Sequence, residues 1–266
     1  MTEQTTVAGP VTLLGVGVHT GKPCRVILLP ATEDTGIIFV KGLKSVPANI
    51  DYVVSTNYST SLTRNGSKIV TVEHFLAGLY IVGVTNCLII QDSEELPILD
   101  GSAKQIVESI QKIGVKTQKA STLKYYLPKV SLTYKHSTLI INPSNKLNIH
   151  VCLDGMFSAN IVDLFDIYTS RTFIKESNIK DLKQRGLLLG GSKDCALVLD
   201  EQGFSKQTYW ANEPARHKAL DLVGDFSLTG ARFYGNIIAM NPSHESNIYF
   251  LKEILACQDL KKSQEL

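Results

Sequence analysis

An α+β fold in two domains of similar topology is predicted for this chain, and three observations predict it. The order strands, long helix, short strand, loop, helix is legible twice along the sequence. A length of 266 residues suits one large domain or two of about 100 to 150, and 44% apolar side chains are ample for their cores. The polar stretch 116–121 falls between the two repeats and reads as a linker, dividing the chain into 1–118 and 119–266.

In the first repeat, residues 11–18 form a Gly-punctuated strand region ending in GVGVHTG, and 25–29 and 36–40 follow as strands with turn residues between. Thr71 is the expected N-cap of a helix over VEHFLAGLYIVG, where Val72, Phe75, Leu76, Leu79 and Val82 recur at helical spacing. A short strand at 86–91 leads to the loop SEELPILDG. Ser102 with Gln105 then makes a capping box for a helix whose apolar face is Ile106, Val107, Ile110 and Ile113, stopped by Gly114.

The second repeat has strands at 130–134, 138–141 and 147–153, a helix opened by Pro214, a strand at 236–240, the loop NPSHES and a last helix over 247–258. One segment has no counterpart in the first half: a short helix at 177–185 stopped by Gly186, then LLLGG and the strand-like CALVLD. It forms a β-α-β-like unit rich in aliphatic side chains. Composition alone reads that unit as satellite packing.

Charge and cysteine content exclude several function classes. The balance of 27 basic against 25 acidic residues leaves +2, with no basic run interleaved with aromatics, so no nucleic-acid partner is expected. The N-terminal MTEQTTVAGP lacks the charged and apolar regions of a secretory signal, and no apolar run approaches the roughly 20 residues that span a bilayer. Five widely spaced cysteines with no C-x-x-C pair read as buried thiols of a reducing compartment, so a cytoplasmic protein is expected.

The chemistry-bearing residues concentrate on the two long helices. His217, Asp221 and Asp225 recur every four residues, so an imidazole and two carboxylates leave one helix face. A lone H-x-x-x-D is better read as a solvated pair, so the metal reading needs further residues. His74 occupies the equivalent helix of the first repeat, so face-to-face domains would bring His74, His217 and Asp221 together in the cleft between them. Two histidines and one aspartate leave a fourth position open on zinc, the pattern of catalytic sites. Such an ion lowers the pKa of water from about 15.7 to about 7, and Glu73 beside His74 is the candidate proton acceptor, though a first-turn Glu also complements the helix dipole. His244, paired with Asp225, is the candidate proton donor to a leaving amine; a helix-start histidine without a role is the alternative. His19 lies in a Gly-rich turn as a substrate contact or turn residue, and His136 and His150 are expected at the surface.

TVEHFLAGL at 71–79, LPILDGSA at 96–103, SRTF at 170–173, RGLLLGGSKDCALVLD at 185–200 and RHKALDLVGD at 216–225 together resemble the zinc-dependent UDP-3-O-acyl-N-acetylglucosamine deacetylases of lipid A synthesis. GVGVHTG at 15–21 and SHESN at 243–247 fit as well, so the resemblance covers nearly the whole chain in order.

That resemblance implies paired helices sandwiched between sheets and an interdomain active site. It implies His74, His217 and Asp221 as zinc ligands, with iron(II) as an alternative in the cell, Glu73 as general base, and His244 as general acid oriented by Asp225. Thr172 is implied in holding the oxyanion, Phe173 in packing on the sugar, Lys218 near the substrate's polar groups, and His19 along the site. Residues 174–203 correspond to an insert forming the passage for the fatty acyl chain, which makes Leu187, Leu188, Leu189, Ala196 and Val198 candidate lining residues. Residues 41–62 resemble the first-domain insert, and 156–166 diverge enough that no uridine contact is assigned. The expected reaction is hydrolysis of the 2-acetamido group of UDP-3-O-acyl-GlcNAc by a monomer. A binding protein without chemistry and an unrelated zinc amidase are the rival readings, separable by acetate release and by dependence on acyl length.

Overall fold

The computed structural model describes residues 3–264, with side chains through Cys257. Among the described residues five helices are set among β-sheets, the α+β class expected from the pattern: α1 Glu73–Val82, α2 Lys104–Ile113, α3 Glu176–Gln184, α4 Glu213–Phe226 and α5 His244–Gln264.

The repeat read from element order is also a repeat of sheet topology. In the first sheet the order is Val11–Val16, Pro23–Pro30, Cys87–Gln91, Ile37–Lys41, Lys44–Pro47, so the late strand slots between two hairpins. It runs antiparallel to Pro23–Pro30 and parallel to Ile37–Lys41. The second sheet repeats this with Val130–Tyr134, Ser137–Asn142, Arg232–Met240, Leu147–Leu153 and Phe157–Ile161, again antiparallel on one side of the late strand and parallel on the other. Lys124–Tyr126 adds a short parallel strand on Arg232–Met240.

Alternation explains which sheet face is covered. In Pro23–Pro30, Cys24, Val26 and Leu28 are buried while Arg25 is exposed, and in Arg232–Met240 every second residue from Phe233 to Ala239 is buried. The helices between the sheets divide by the same logic. The α2 helix buries Ile106, Val107 and Ile110 and exposes most of its other residues, Ile113 included. In contrast α1 is buried from Glu73 to Ile81 and α4 at all but Arg216 and Lys218. A helix enclosed all round belongs to the centre of the molecule. At the α1–α4 crossing, a Cβ on Gly224 would fall 2.2 Å from the Glu73 carbonyl oxygen, so only glycine permits this approach.

Several local expectations change. Thr71 does not cap α1: it adopts φ 62, and its hydroxyl turns to Glu95 at 3.4 Å. Ser102 accepts from the Lys104 N–H and donates to Asp100, without the reciprocal bond from Gln105. The stretch 116–121 is no free linker but most of a strand, Val115–Ser121, paired antiparallel with Glu3–Val7. The last helix starts at His244, three residues early, because Ser243 and Ser246 exchange backbone–hydroxyl hydrogen bonds and close its first turn. The insert is a β-α-β unit as expected, with Phe173–Lys175 and Leu197–Asp200 parallel and α3 between them. Among the described residues no helix is long and apolar enough to cross a membrane.

Candidate active site

The α1–α4 crossing brings residues 143 positions apart into contact. The His74 and His217 rings meet edge to face, centroids 5.1 Å apart. His217 Nδ1 lies 3.0 Å from the Ser170 carbonyl oxygen, which can only accept, so that nitrogen carries the proton and Nε2 keeps its lone pair. His217 Nε2 sits 3.3 Å and His74 Nε2 3.6 Å from Asp221 Oδ1. One donor atom from each of the three residues lies within 4.8 Å of the others, a group able to hold a metal ion. The donor chemistry fits such an ion: Asp221 Oδ1 is buried with no hydrogen-bond donor, an arrangement costly without a cation. Burial pushes the His217 pKa down to about 4, so the ring is neutral as a ligand must be. Burial opposes the Asp221 charge, yet His217 and Lys218 hold its pKa well below the usual carboxylate value.

A second tier of buried groups surrounds these three. Glu73 is 2% exposed, and desolvation raises its carboxyl pKa. His244 Nε2 stands 3.8 Å from Glu73 Oε1 and 3.9 Å from Asp221 Oδ2. Its Nδ1 meets Asp225 Oδ2 at 2.9 Å, and the same oxygen accepts from the Asn247 amide at 2.9 Å. Burial alone would lower the His244 pKa, but Asp225, Glu73 and Asp221 together lift it to about 9. Lys218, expected near the substrate's polar groups, stands on the cleft wall and donates to Asp221 Oδ2 at 2.9 Å, and that carboxylate raises its pKa against the effect of burial.

These groups open into a cleft of about 730 Å³ lined by Glu73, His74, His217, Lys218, Asp221 and His244 at its polar end. His19, Thr172 and Phe173 line it too. The His19 ring is buried beside the Tyr58 backbone, and burial lowers its pKa. Phe173 stands edge-on to His217, centroids 6.4 Å apart. Asp225 lies behind His244, outside the lining.

The insert supplies the apolar end. Leu188, Ala196 and Val198 line the cleft, joined by Ile98, Ile174, Ile179 and Leu182, which sequence reasoning did not single out. Leu187 and Leu189 are not among the lining residues, and Leu189 is 59% exposed. The reason is backbone pairing: Leu189 and Gly190 N–H groups donate to the His19 and Val18 carbonyls, which fixes this segment against the GVGVHTG turn and turns Leu189 outward. His136 is exposed and His150 half-buried, away from the cleft.

Sequence reasoning also missed an ion pair that anchors the site from below. Arg171 Nε donates to Glu213 Oε1 at 2.8 Å, and the Arg171 and Tyr209 backbone N–H groups reach the same carboxylate. Arg171 is 7% exposed and Glu213 fully buried, so the pair ties Thr172 and the strand that begins at Phe173 to the start of α4. Neither residue stands in a recognisable motif spacing with the other, and only the fold joins them.

With this geometry in hand, the comparisons with known proteins are unambiguous. Residues 4–256 match the family model described as UDP-3-O-acyl N-acetylglycosamine deacetylase. A UDP-3-O-acyl-N-acetylglucosamine deacetylase of Thermodesulfovibrio yellowstonii is 36% identical, over 97% of this chain and 94% of that one. The enzyme of that name from Chlamydia pneumoniae is 35% identical over 97% of this chain and 98% of its own, and that of Leptospira biflexa is 34% identical over 94% and 89%. A match whose range spans both sheets and both buried helices leaves one assignment: the chain belongs to the UDP-3-O-acyl N-acetylglycosamine deacetylase family.

Proposed function

We propose that this chain hydrolyses the 2-acetamido group of UDP-3-O-acyl-N-acetylglucosamine, releasing acetate and the free amino sugar, the committing step of lipid A synthesis. The observation that carries the reading is one cleft in which an ion-holding trio, a buried carboxylate and a protonated imidazole face the same space. A divalent metal, zinc with iron(II) as the alternative, fits His74, His217 and Asp221, and when bound supplies a Lewis acid that polarises the amide carbonyl and acidifies water.

The remaining steps belong to the chain's own side chains. Glu73, desolvated and therefore more basic than a surface carboxylate, takes the proton of the attacking water. Thr172, on the cleft wall, donates to the oxygen on which negative charge develops. His244, charged and held at Nδ1 by Asp225, gives its Nε2 proton to the departing nitrogen. Phe173 and His19 flank the sugar, and Lys218 meets the polar part of the substrate. The acyl chain follows Ile98, Leu188, Ala196 and Val198, each buried methylene contributing about 0.8 kcal/mol.

In this reading the enzyme is a cytoplasmic monomer of two domains, 1–118 and 119–266, with the acyl passage formed by 174–203. The test is metal analysis of the purified protein combined with an acetate-release assay on the acylated UDP-sugar. One bound divalent ion and acetate release that ceases on chelation are expected; a protein that takes up metal yet releases no acetate would overturn the reading.

A further inference from the structure

Thr60 is wholly buried in the loop before the strand Ser61–Arg64, and all three of its polar groups are used. Its backbone N–H donates to Glu73 Oε2 at 3.0 Å, and its carbonyl accepts from the Val72 N–H at 3.2 Å. Its hydroxyl donates to Asp225 Oδ1 at 2.6 Å. One residue therefore joins the carboxylate on α1 to the carboxylate on α4, although the two come from different sheets' helices.

The geometry of Asp225 gives that hydroxyl its importance. Oδ2 is shared by His244 Nδ1 and Asn247 Nδ2, and among the described residues Oδ1 accepts from Thr60 alone. A carboxylate fixed at only one oxygen can rotate about its Cβ–Cγ bond, and rotation would carry Oδ2 away from the imidazole it orients. Leaving Oδ1 bare in a site with no exposure also strands a buried charge-bearing atom, a situation that folded proteins avoid.

We propose that Thr60 is a positioning residue that sets His244 through Asp225 while its backbone holds Glu73, locking proton acceptor and proton donor into one frame. The assignment rests on the roles proposed above for Glu73 and His244. It separates two arms of the residue: the amide arm survives any substitution except proline, whereas the hydroxyl arm is removed by Thr60→Val with shape retained.

The experiment compares Thr60→Val, Thr60→Ser and the unmodified enzyme, each loaded with metal. Thr60→Val is expected to keep its metal content and KM while kcat falls about 10- to 100-fold, the range seen when an outer partner of an active-site ligand is lost. Thr60→Ser, which restores the hydroxyl, is expected to recover most of kcat. In the Asp225→Ala background, Thr60→Val should add no further loss, because the path to His244 is already cut. Undiminished kcat in Thr60→Val, or equal losses in Val and Ser, would overturn the assignment. The NMR signal of the His244 Nδ1 proton decides independently of turnover: it should persist in Thr60→Ser and be lost or broadened in Thr60→Val, and persistence in both would refute the role. An unmodified enzyme that releases no acetate would instead overturn the functional reading, with the NMR comparison still judging Thr60.

Discussion

The two ends of the cleft are built by opposite means. At the polar end, His74, His217, Asp221 and Asp225 are all less than 9% exposed and project from helices enclosed on every side. Its carboxylates and imidazoles are held from behind by named partners, from Ser170 on His217 to Asn247 and Thr60 on Asp225, while Asp221 Oδ1 is left for an ion. At the apolar end, α3 buries only Leu182, with Ile179 half-buried on the cleft wall and its other residues exposed. The insert is held by a short parallel strand pair and by backbone hydrogen bonds to the turn at 17–21. Precision is concentrated where charge must be placed to within fractions of an ångström, and the end that accepts a flexible chain is a thin shell of aliphatic side chains.

Substitutions at the two ends should therefore fail differently. The largest effect belongs to Glu73→Ala, where kcat should drop by roughly 10²- to 10⁴-fold with metal content unchanged, as removal of a general base does. Initial rates beside metal analysis check this, and near-native turnover would remove Glu73 from the mechanism.

The junction between the ends comes next. Glu213→Gln strips the buried Arg171 of its charge partner and should cost about 3–5 kcal/mol of stability at neutral pH, measured by denaturant unfolding. The pH dependence follows from the direction of the shift. Burial would raise the Glu213 pKa, but Arg171 and the backbone donors bring it below 4.5, so its contribution is present above the unfolded-state value and is lost as pH falls through the folded one. Acid destabilisation below about pH 4.5 should accordingly be shallower in Glu213→Gln than in the parent, and parallel curves would discount the ion pair.

Filling the apolar end should change selectivity more than chemistry. Ala196→Trp is expected to lower kcat/KM for long-chain substrate at least about tenfold, near 1.4 kcal/mol, and to spare a substrate whose chain stops short of the insert. Equal loss on both substrates would move the acyl passage elsewhere. The smallest effect falls on Leu189→Ala: with the side chain 59% exposed outside the cleft, stability and turnover should stay within about 0.5 kcal/mol, and a chain-length-dependent defect would return Leu189 to the passage.

Much of this architecture was legible because local rules and global fold agree. Helical spacing, Pro214 and Gly114 mark α1, α2 and α4 without tertiary information, and in the structure Gly114 ends α2 with φ of 89. The repeated element order anticipated the repeated sheet, since each repeat carries the same alternation of strand and helix. The four-residue spacing of His217, Asp221 and Asp225 put them on one face, and the correspondence between the two repeats pointed to His74, with Glu73 beside it, as their partners.

Other features depended on which surfaces meet. The bonds of Thr60 and Asn247 to Asp225 and of Arg171 to Glu213 were not legible, because hydrogen bonds between residues 165, 22 and 42 positions apart leave no periodic trace in either segment. The strand at Val115–Ser121 looks like a polar linker until Glu3–Val7 lies beside it, for strand propensity depends on the neighbour across the ladder. Leu188 and Leu189 are identical in composition and adjacent, yet one faces the cleft and the other solvent. Residue type and spacing are properties of one chain segment and can be read from it, while the direction of a side chain in a loop is decided by the distant backbone that pins that loop.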